Sequence, residues 1–161
     1  MRLTRFTDYG LRVLIYVAAN HDGSVTIAQI AKAFDISENH LNKVVHFLGR
    51  AGLLTNTRGK GGGLRLATSA DAINVAKVVR LAESHDIPAE CFDPAANACV
   101  ITPVCRLRSV FGQAVKAFYA ALEKYTLADL VHNRESLGKI LFLSPMKPQR
   151  HVPEPARTVR R

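Results

Sequence analysis

Apolar residues recur at helical intervals in three stretches of the first fifty positions. The first stretch predicts a helix over residues 8–20 with one apolar face: Leu11, Leu14, Ile15 and Ala18. The capping-box pair Thr26 and Gln29 opens the second predicted helix, and Ser37 is a good N-cap for the third. The third helix is expected to bury one stripe and to stop at a glycine: Leu41, Val44, Val45 and Leu48, then Gly52.

A β-hairpin is predicted directly after these helices. Residues 53–55 and 64–66 have the composition and alternation of short strands, and residues 58–63 between them form a glycine-rich turn. A pair of short helices joined by a tight turn and followed by a hairpin is typical of a winged helix-turn-helix. We therefore expect a mainly α fold with a small β-hairpin wing.

The second half of the chain is predicted to contain a long helix. Ser69 is expected to cap a preceding helix that turns Ile73, Ala76 and Val79 inward. The long helix is predicted over residues 105–125, and its apolar positions alternate in steps of four and three: Leu107, Phe111, Ala114, Phe118, Ala121 and Tyr125. This heptad spacing favours packing against a partner helix, so we expect a homodimer. Thr126 begins a last short helical turn.

These features divide the chain into four parts. Residues 1–82 form the expected winged domain, and residues 83–105 form a cysteine-containing loop. Residues 106–143 hold the dimerisation helix and a C-terminal helical turn. Residues 144–161 combine prolines with basic residues, a composition that does not build a packed core, and are predicted to be a disordered basic tail.

Positive charge is concentrated at the two ends of the chain. Of the formal net charge of +9, residues 1–67 carry +5, residues 68–145 carry none and residues 146–161 carry +4. Basic charge beside a folded module attracts nucleic acid. No run of eighteen apolar residues and no N-terminal signal region is present, so we expect a cytoplasmic protein with no membrane span. Because no cofactor fold and no pair of catalytic acids is recognisable, we expect a binding protein and not an enzyme.

The third helix carries side chains suited to reading DNA. In a helix-turn-helix this helix lies in the major groove, with its first turns nearest the bases. The candidates for contact there are Ser37, Asn39, His40 and Lys43. Asparagine can bond adenine in two places, while serine and histidine can reach bases or phosphates. The alternative is an ordinary solvated helix face.

The turn of the hairpin offers a second contact with DNA. Arg58, Gly59 and Lys60 stand where glycine lets the backbone approach another molecule closely, so they are expected to reach phosphates or a narrow minor groove. A nucleotide-binding loop does not fit, because Lys60 is followed by Gly61 where such loops have serine or threonine. A plain flexible hairpin remains the alternative.

All three cysteines of the chain fall within fifteen residues, in the spacing C-x7-C-x5-C: Cys91, Cys99 and Cys105. A zinc finger would show a closely spaced cysteine pair and four ligands, and neither is present. Iron–sulfur clusters take thiolate ligands and can complete their ligand set with another donor. The spacing therefore leaves three interpretations: a metal or cluster site, free structural thiols, or a catalytic or disulfide-forming cysteine.

Five stretches of the chain, spanning residues 3–130, carry a resemblance to a known family: residues 3–12, 37–44, 58–67, 99–107 and 125–130. The chain resembles the iron–sulfur-dependent winged-helix transcriptional repressors, and among them most closely the nitric-oxide-sensing members. The wing and the segment Tyr-Thr-Leu-Ala-Asp-Leu at residues 125–130 are the more specific matches. The family's regulators of cluster assembly have a histidine three residues after the last cysteine, where this chain has Arg108.

The resemblance implies a homodimer that holds one iron–sulfur cluster per subunit, of the 2Fe–2S or 4Fe–4S type. Cys91, Cys99 and Cys105 match the family's cysteine ligands, and Asp8 stands where such members have an acidic fourth ligand supplied by the other subunit. Without the resemblance, Asp8 is simply a charge favoured near a helix N-terminus.

The expected function is that of a bacterial, cytoplasmic repressor on a palindromic double-stranded operator. The resemblance implies nitric oxide as the signal, which reacts with cluster iron and causes release of the operator. Two alternatives remain from the residues. A winged regulator could sense iron or general redox state through the same cysteines, and an electron carrier could be built on the cluster.

Overall fold

The structure is a computed structural model that describes residues 3–20, 23–57, 59, 62–83 and 88–143. Three 3₁₀ turns, Ala70–Ala72, Glu90–Phe92 and Thr102–Val104, separate longer elements, and a π-helical turn, Lys139–Leu143, ends the described chain. The longer elements, in chain order, are α1 (Arg5–Ala19), α2 (Ile27–Phe34), α3 (Glu38–Arg50), β1 (Leu54–Thr57), β2 (Gly63–Leu66), α4 (Val75–Ala82), α5 (Arg106–Leu122), α6 (Leu127–Leu130) and α7 (Arg134–Gly138).

Helix α1 lies at the centre of the molecule. It starts at Arg5, earlier than predicted, because the Thr4 hydroxyl accepts a hydrogen bond from the Thr7 backbone N–H and caps the helix. Helices α3, α4 and α6 and strand β2 all pack on α1, so it is covered on more sides than one apolar stripe would require. As a result, Leu11 and Ile15 are only half-buried, whereas Val13 and Val17 lie in the core.

The helix pair α2–α3 forms as its capping signals predict. Thr26 and Gln29 make the complete capping box of α2. Asp35 then adopts the left-handed conformation with φ of 53°, which ends α2. The Ser37 side chain caps α3. Such a cap contributes about 1 kcal/mol. The predicted stripe of α3 is buried in full: Leu41, Val44, Val45 and Leu48.

Strands β1 and β2 form the predicted antiparallel hairpin, with Leu54 paired to Leu66 and Thr57 to Gly63. Gly62 is required at the base of the turn, since a Cβ there would lie 2.2 Å from the Thr57 carbonyl oxygen. The hairpin is tied to the helices because Val25 and Leu64 exchange backbone hydrogen bonds of 3.0 and 2.7 Å.

One predicted cap is wrong. Ser69 precedes only the 3₁₀ turn and makes no side-chain capping bond, whereas the Asn74 side chain caps α4 by accepting from the Lys77 N–H. The Asn74 amide also donates to the carbonyls of Glu123 and Tyr125, at the C-terminal end of α5. These bonds hold the Asn74 side chain in the position from which it caps α4. The inward positions Ile73, Ala76 and Val79 are buried as predicted.

The C-terminal elements fold back onto α1. The Arg134 guanidinium donates to the Ala18 carbonyl oxygen, and the Phe142 ring packs edge-on against Tyr16 at 5.0 Å. Burial raises the pKa of the Tyr16 hydroxyl. The basic tail predicted for residues 144–161 lies outside the described residues. In the described part of the chain, no helix is long and apolar enough to cross a bilayer.

Candidate functional site

The N-terminal turns of α3 present an open polar face. All four side chains predicted to contact DNA there are exposed: Ser37, Asn39, His40 and Lys43. The opposite face of the helix is buried in the core, so α3 is firmly seated while its polar side faces outward. His46, one turn beyond Asn42, is also exposed on this helix and was not among the predicted residues, although its spacing could have shown it.

Helix α1 supports α3 through two aromatic contacts. The Phe6 ring packs edge-on against Phe47 at 5.1 Å, and the Tyr9 ring lies 6.4 Å from the His40 ring. Helix α1 therefore contacts α3 beside an exposed polar side chain, through the residue that directly follows Asp8 in the sequence.

The wing adds a second polar surface. Gly59 is exposed with φ of +100°, a conformation that suits glycine, and this agrees with its predicted place in a tight turn. Arg58 and Lys60 lie outside the described residues. Arg65 is exposed on β2 between two apolar neighbours, a further basic candidate that the strand alternation at residues 64–66 could have indicated.

The cysteine loop lies between α4 and α5 and places its three thiols on separate local structures. Cys91 sits in the turn Glu90–Phe92, and Cys105 precedes α5 as its N-cap residue. The Cys99 N–H donates to the Asn97 side chain at 3.2 Å. All three cysteines are free and half-buried, and the Cys105 sulfur makes no capping hydrogen bond. None of the three thiols is therefore engaged in a disulfide.

Arg108 draws the two ends of this loop together. Its Nε donates to the Cys91 carbonyl oxygen at 3.1 Å, and its guanidinium lies 5.7 Å from the centre of the Phe92 ring. Arg108 is in the first turn of α5, three positions after Cys105. Arg108 thus closes the loop that runs from the first to the last cysteine. The sequence analysis noted this residue only because it stands where related regulators have a histidine.

Asp8 lies in the first turn of α1, at the surface. Its carboxylate takes both a 2.8 Å ion pair and a 3.1 Å hydrogen bond from the Arg12 side chain. The Asp8 side chain is 44% exposed and borders an open pocket of about 690 Å³ at the start of α1, with Leu3, Thr4 and Arg5. The carboxylate can therefore be reached from outside the molecule.

The loop and α1 offer two kinds of donor atom, thiol sulfur and carboxylate oxygen. Within the described ranges, no three histidine, cysteine, aspartate or glutamate side chains converge on one metal-ion position. Three free thiols on one short loop are the soft donors that iron–sulfur clusters take, and they are one too few for a structural zinc site. Asp8 offers an accessible oxygen donor on another surface.

Helix α5 carries an apolar face that has no cover within the described chain. None of its residues is buried, and Leu107, Val110 and Phe111 are 56%, 56% and 37% exposed. The loop before it continues the apolar surface with Val100, Ile101 and Val104, which are also exposed. The opposite edge of α5 is held to α4, since Arg80 lies 3.9 Å from the Tyr119 ring centre and 2.8 Å from the Glu123 carboxylate.

Comparison with known proteins gives matches over most of the chain. The family model described as Rrf2, iron-dependent transcriptional regulator, matches residues 3–133. The HTH-type transcriptional regulator NsrR of Bacillus subtilis (strain 168) is 49% identical over 142 residues, which cover 88% of this chain and 97% of that protein. The regulator of the same name from Geobacillus kaustophilus (strain HTA426) is 45% identical over 142 residues, with the same coverage of 88% and 97%.

Solved structures share the fold. CymR, the global cysteine regulator of B. subtilis, aligns with a TM-score of 0.66 at 26% identity, covering 83% of this chain and 98% of that one. IscR of T. potens aligns with a TM-score of 0.65 at 24% identity, covering 85% and 90% of the two chains. These likenesses confirm the predicted winged fold class.

Proposed function

The chain belongs to the Rrf2 family, as a DNA-binding transcription regulator of the NsrR type and not an enzyme, and from this premise we propose that it is a cytoplasmic repressor that senses nitric oxide. It binds a palindromic operator as a homodimer, and an iron–sulfur cluster in each subunit controls that binding. The single observation that carries the proposal is the loop of three free thiols, closed by Arg108 at the start of a helix whose apolar face is exposed within the described residues.

The residues that would hold the cluster are Cys91, Cys99 and Cys105 of one subunit and Asp8 of the other. The cluster itself supplies iron with which nitric oxide reacts. The protein contributes a ligand loop that leads directly into α5. A cluster bound to the three thiols would therefore also fix the start of α5, the helix proposed to form the dimer. Both oxygens of the Asp8 carboxylate are bonded to Arg12, and each keeps a further lone pair with which it could bind the cluster.

Two routes connect this site with the operator. Helix α5 carries the apolar face proposed for the dimer, so its tilt sets the separation of the two α3 helices. Helix α1 carries Asp8 and contacts α3 through Tyr9 and Phe6. When the thiols and Asp8 are released from the cluster, the changes at α5 and α1 move the two α3 helices of the dimer relative to each other. The equilibrium between the operator-bound and the operator-free conformation then shifts away from the bound one.

Operator binding before and after nitric oxide treatment tests the proposal. Protein purified without oxygen is expected to bind a palindromic operator tightly, and nitric oxide is expected to weaken that binding by roughly 5- to 150-fold. The measurement is fluorescence anisotropy with labelled operator at fixed salt, and an unrelated duplex of equal length is the control. Equal operator affinity in treated and untreated protein contradicts the proposal.

Asn39 is expected to read a base. Asn39→Ala should cost about 1–3 kcal/mol of operator binding and relax the preference at one base pair of each half-site, because a bidentate contact to adenine is lost. Binding to a panel of single-substitution operators measures this. Lys116→Ala, an exposed change on α5, is the control and should leave base preference intact. If every operator in the panel keeps its wild-type rank with Asn39→Ala, Asn39 contacts no base.

Asp8 is expected to complete the cluster site of the partner subunit. Asp8→Ala should leave the fold intact, since the side chain is 44% exposed, but should alter the visible spectrum of anaerobic protein and speed cluster loss by about 10- to 100-fold. The readout is absorbance decay in the presence of a chelator. Arg12→Ala breaks the same ion pair while keeping the carboxylate, so it should retain the spectrum. Identical decay in Asp8→Ala and wild type would assign Asp8 to the ion pair alone.

The free, half-buried thiols favour one other candidate function, that of a redox sensor. The same winged protein could sense redox state through bare thiols, without iron. Iron analysis and absorbance of anaerobic protein separate the two: iron with a visible band supports the cluster, whereas colourless, iron-free protein whose operator binding responds to peroxide supports the thiol sensor.

A further inference from the structure

The turn that holds the first cysteine lies on the first two turns of α5. Arg108 donates from its Nε to the Cys91 carbonyl oxygen at 3.1 Å, and its guanidinium lies 5.7 Å from the centre of the Phe92 ring. The same ring lies close to Gly112, where a Cβ would be 4.0 Å from the ring atom Cε1. Arg108 and Gly112 are four positions apart and therefore share one face of the helix. This face of α5 thus contacts the turn Glu90–Phe92 through both its backbone and its aromatic ring.

The hydrogen bond from Arg108 acts on the backbone of a proposed ligand and leaves the sulfur of that ligand free. The Cys91 thiol is half-buried and engaged in no disulfide. A guanidinium keeps its protons and has no acceptor atom, so Arg108 cannot itself bind iron. Cys105 precedes Arg108 by three positions, as the N-cap residue of α5. The backbones of the first and the last cysteine are therefore both attached to the first turn of α5, one through Arg108 and the other through the chain itself.

The first turn of α5 departs from the usual composition of a helix start. Positive side chains are disfavoured there by the helix dipole, yet the turn holds Arg106 and Arg108 and contains no acidic residue. The N-cap residue, Cys105, makes no side-chain capping bond either. Where a sequence breaks a local rule, the residues concerned often serve a contact or a function that the helix alone does not need. For Arg108, the described contact is the one with the Cys91 turn.

We propose, resting on the function proposed above, that Arg108 is a positioning residue that holds the Cys91 turn on α5 in the apo protein. The backbones of the first and the last thiol ligand are then ordered before the cluster binds. A ligand residue that is already ordered loses less conformational entropy on binding, so Arg108 strengthens cluster binding without touching the cluster. The position of Cys91 also follows the direction of α5, the helix proposed to form the dimer.

Backbone order in the full-length apo protein tests this role without any cluster. The Phe92 and Asp93 amides report on the turn, because they bond to the Ala89 and Glu90 carbonyls within it. Their ¹⁵N order parameters are expected to be about 0.85 in wild type, as in rigid backbone, and to fall below about 0.6 in Arg108→Ala. Equal order parameters at these two amides in wild type and Arg108→Ala, whether high or low, overturn the proposal.

Two further variants separate the hydrogen bond from charge and from packing. Arg106→Ala removes the same charge from the same exposed turn and should leave the Phe92 and Asp93 amides ordered. Arg108→Met keeps an apolar stem beside the Phe92 ring but has no donor, so it should loosen the turn as Arg108→Ala does. An ordered turn in Arg108→Met, or a loosened one in Arg106→Ala, contradicts the positioning role of the hydrogen bond.

The fold itself is monitored in the same spectra. Arg108 is exposed, so its replacement should leave the core amides of Val13 and Val17 at their wild-type order parameters. A loss of order that extends to these core amides would report general destabilisation. In that case the contrast between Arg108→Met and Arg106→Ala decides the proposal.

Cluster release then tests the consequence for the proposed site. Arg108→Ala, reconstituted without oxygen, should show the wild-type visible spectrum, because every proposed ligand is still present. It should lose its iron to a chelator about 10- to 100-fold faster than wild type, the usual effect of removing a group that orients a ligand. A wild-type rate of release, or an altered spectrum, contradicts the positioning role. If wild type takes up no cluster, the proposed function fails, and the order parameters still decide whether Arg108 holds the turn.

Discussion

Alanine in place of Cys91 is expected to remove the visible absorption of protein prepared without oxygen and to lower its operator affinity by roughly 5- to 150-fold, the usual range of coupling between two sites. The reason is that Cys91 is one of three thiol donors, and its backbone carbonyl is already held by Arg108. Loss of the sulfur leaves the loop backbone in place while removing the ligand. Iron content, absorbance and operator anisotropy on the same sample measure the effect.

A neighbouring substitution provides the matched control for Cys91→Ala. Ala98 is exposed beside Cys99, and Ala98→Ser changes the loop surface without touching a thiol. This variant should keep its colour, its iron and its operator affinity. Should Cys91→Ala retain the wild-type spectrum and full response to nitric oxide, Cys91 is not a ligand and the cluster assignment for the loop is wrong.

Charge on the apolar face of α5 is expected to abolish the dimer. Replacing both Leu107 and Phe111 by aspartate places two charges on a surface that we expect to be buried against a second copy. The variant should sediment as a monomer. Because two linked half-site contacts become one, operator affinity should fall on the order of 10²- to 10⁴-fold, while affinity for a single half-site changes little.

The opposite side of the same helix offers a control of equal charge. Ser109 and Gln113 are exposed and have the same spacing of four, but they face away from the apolar side. Aspartate at both positions should leave a dimer with wild-type operator affinity. A dimer that persists with aspartate at 107 and 111 would show that another surface holds the two subunits together.

The capping residues explain why much of the winged domain could be predicted from sequence. Thr26 with Gln29, and Ser37 before α3, are local signals whose hydrogen bonds reach only three positions along the chain. The prediction of the buried stripe of α3 was correct because a helix that packs on one side has apolar residues at helical intervals in its sequence. Helix α1 departs from its predicted face, since neighbours on several sides bury residues that a single stripe leaves out.

The cysteines mark the limit of sequence reasoning about the site. Their crowding within residues 91–105 predicts a site in the loop, and the family resemblance adds Asp8. The closing contact of Arg108 with the Cys91 carbonyl could not be predicted, because it depends on the direction in which α5 leaves the loop. Likewise, the predicted Ser69 cap failed because Asn74 is fixed by carbonyl groups about fifty positions away.

The sequence alone determined the order of the elements, the hairpin and the thiol donors, because each depends on side chains that are close in the chain. The tertiary structure alone decided that Glu83 meets Thr4 and that Tyr9 meets His40, bringing the start of α1 against both the end of α4 and the third helix, α3. Contacts of this kind join residues from distant positions, and they form only when burial of the shared core sets the helices at one relative orientation.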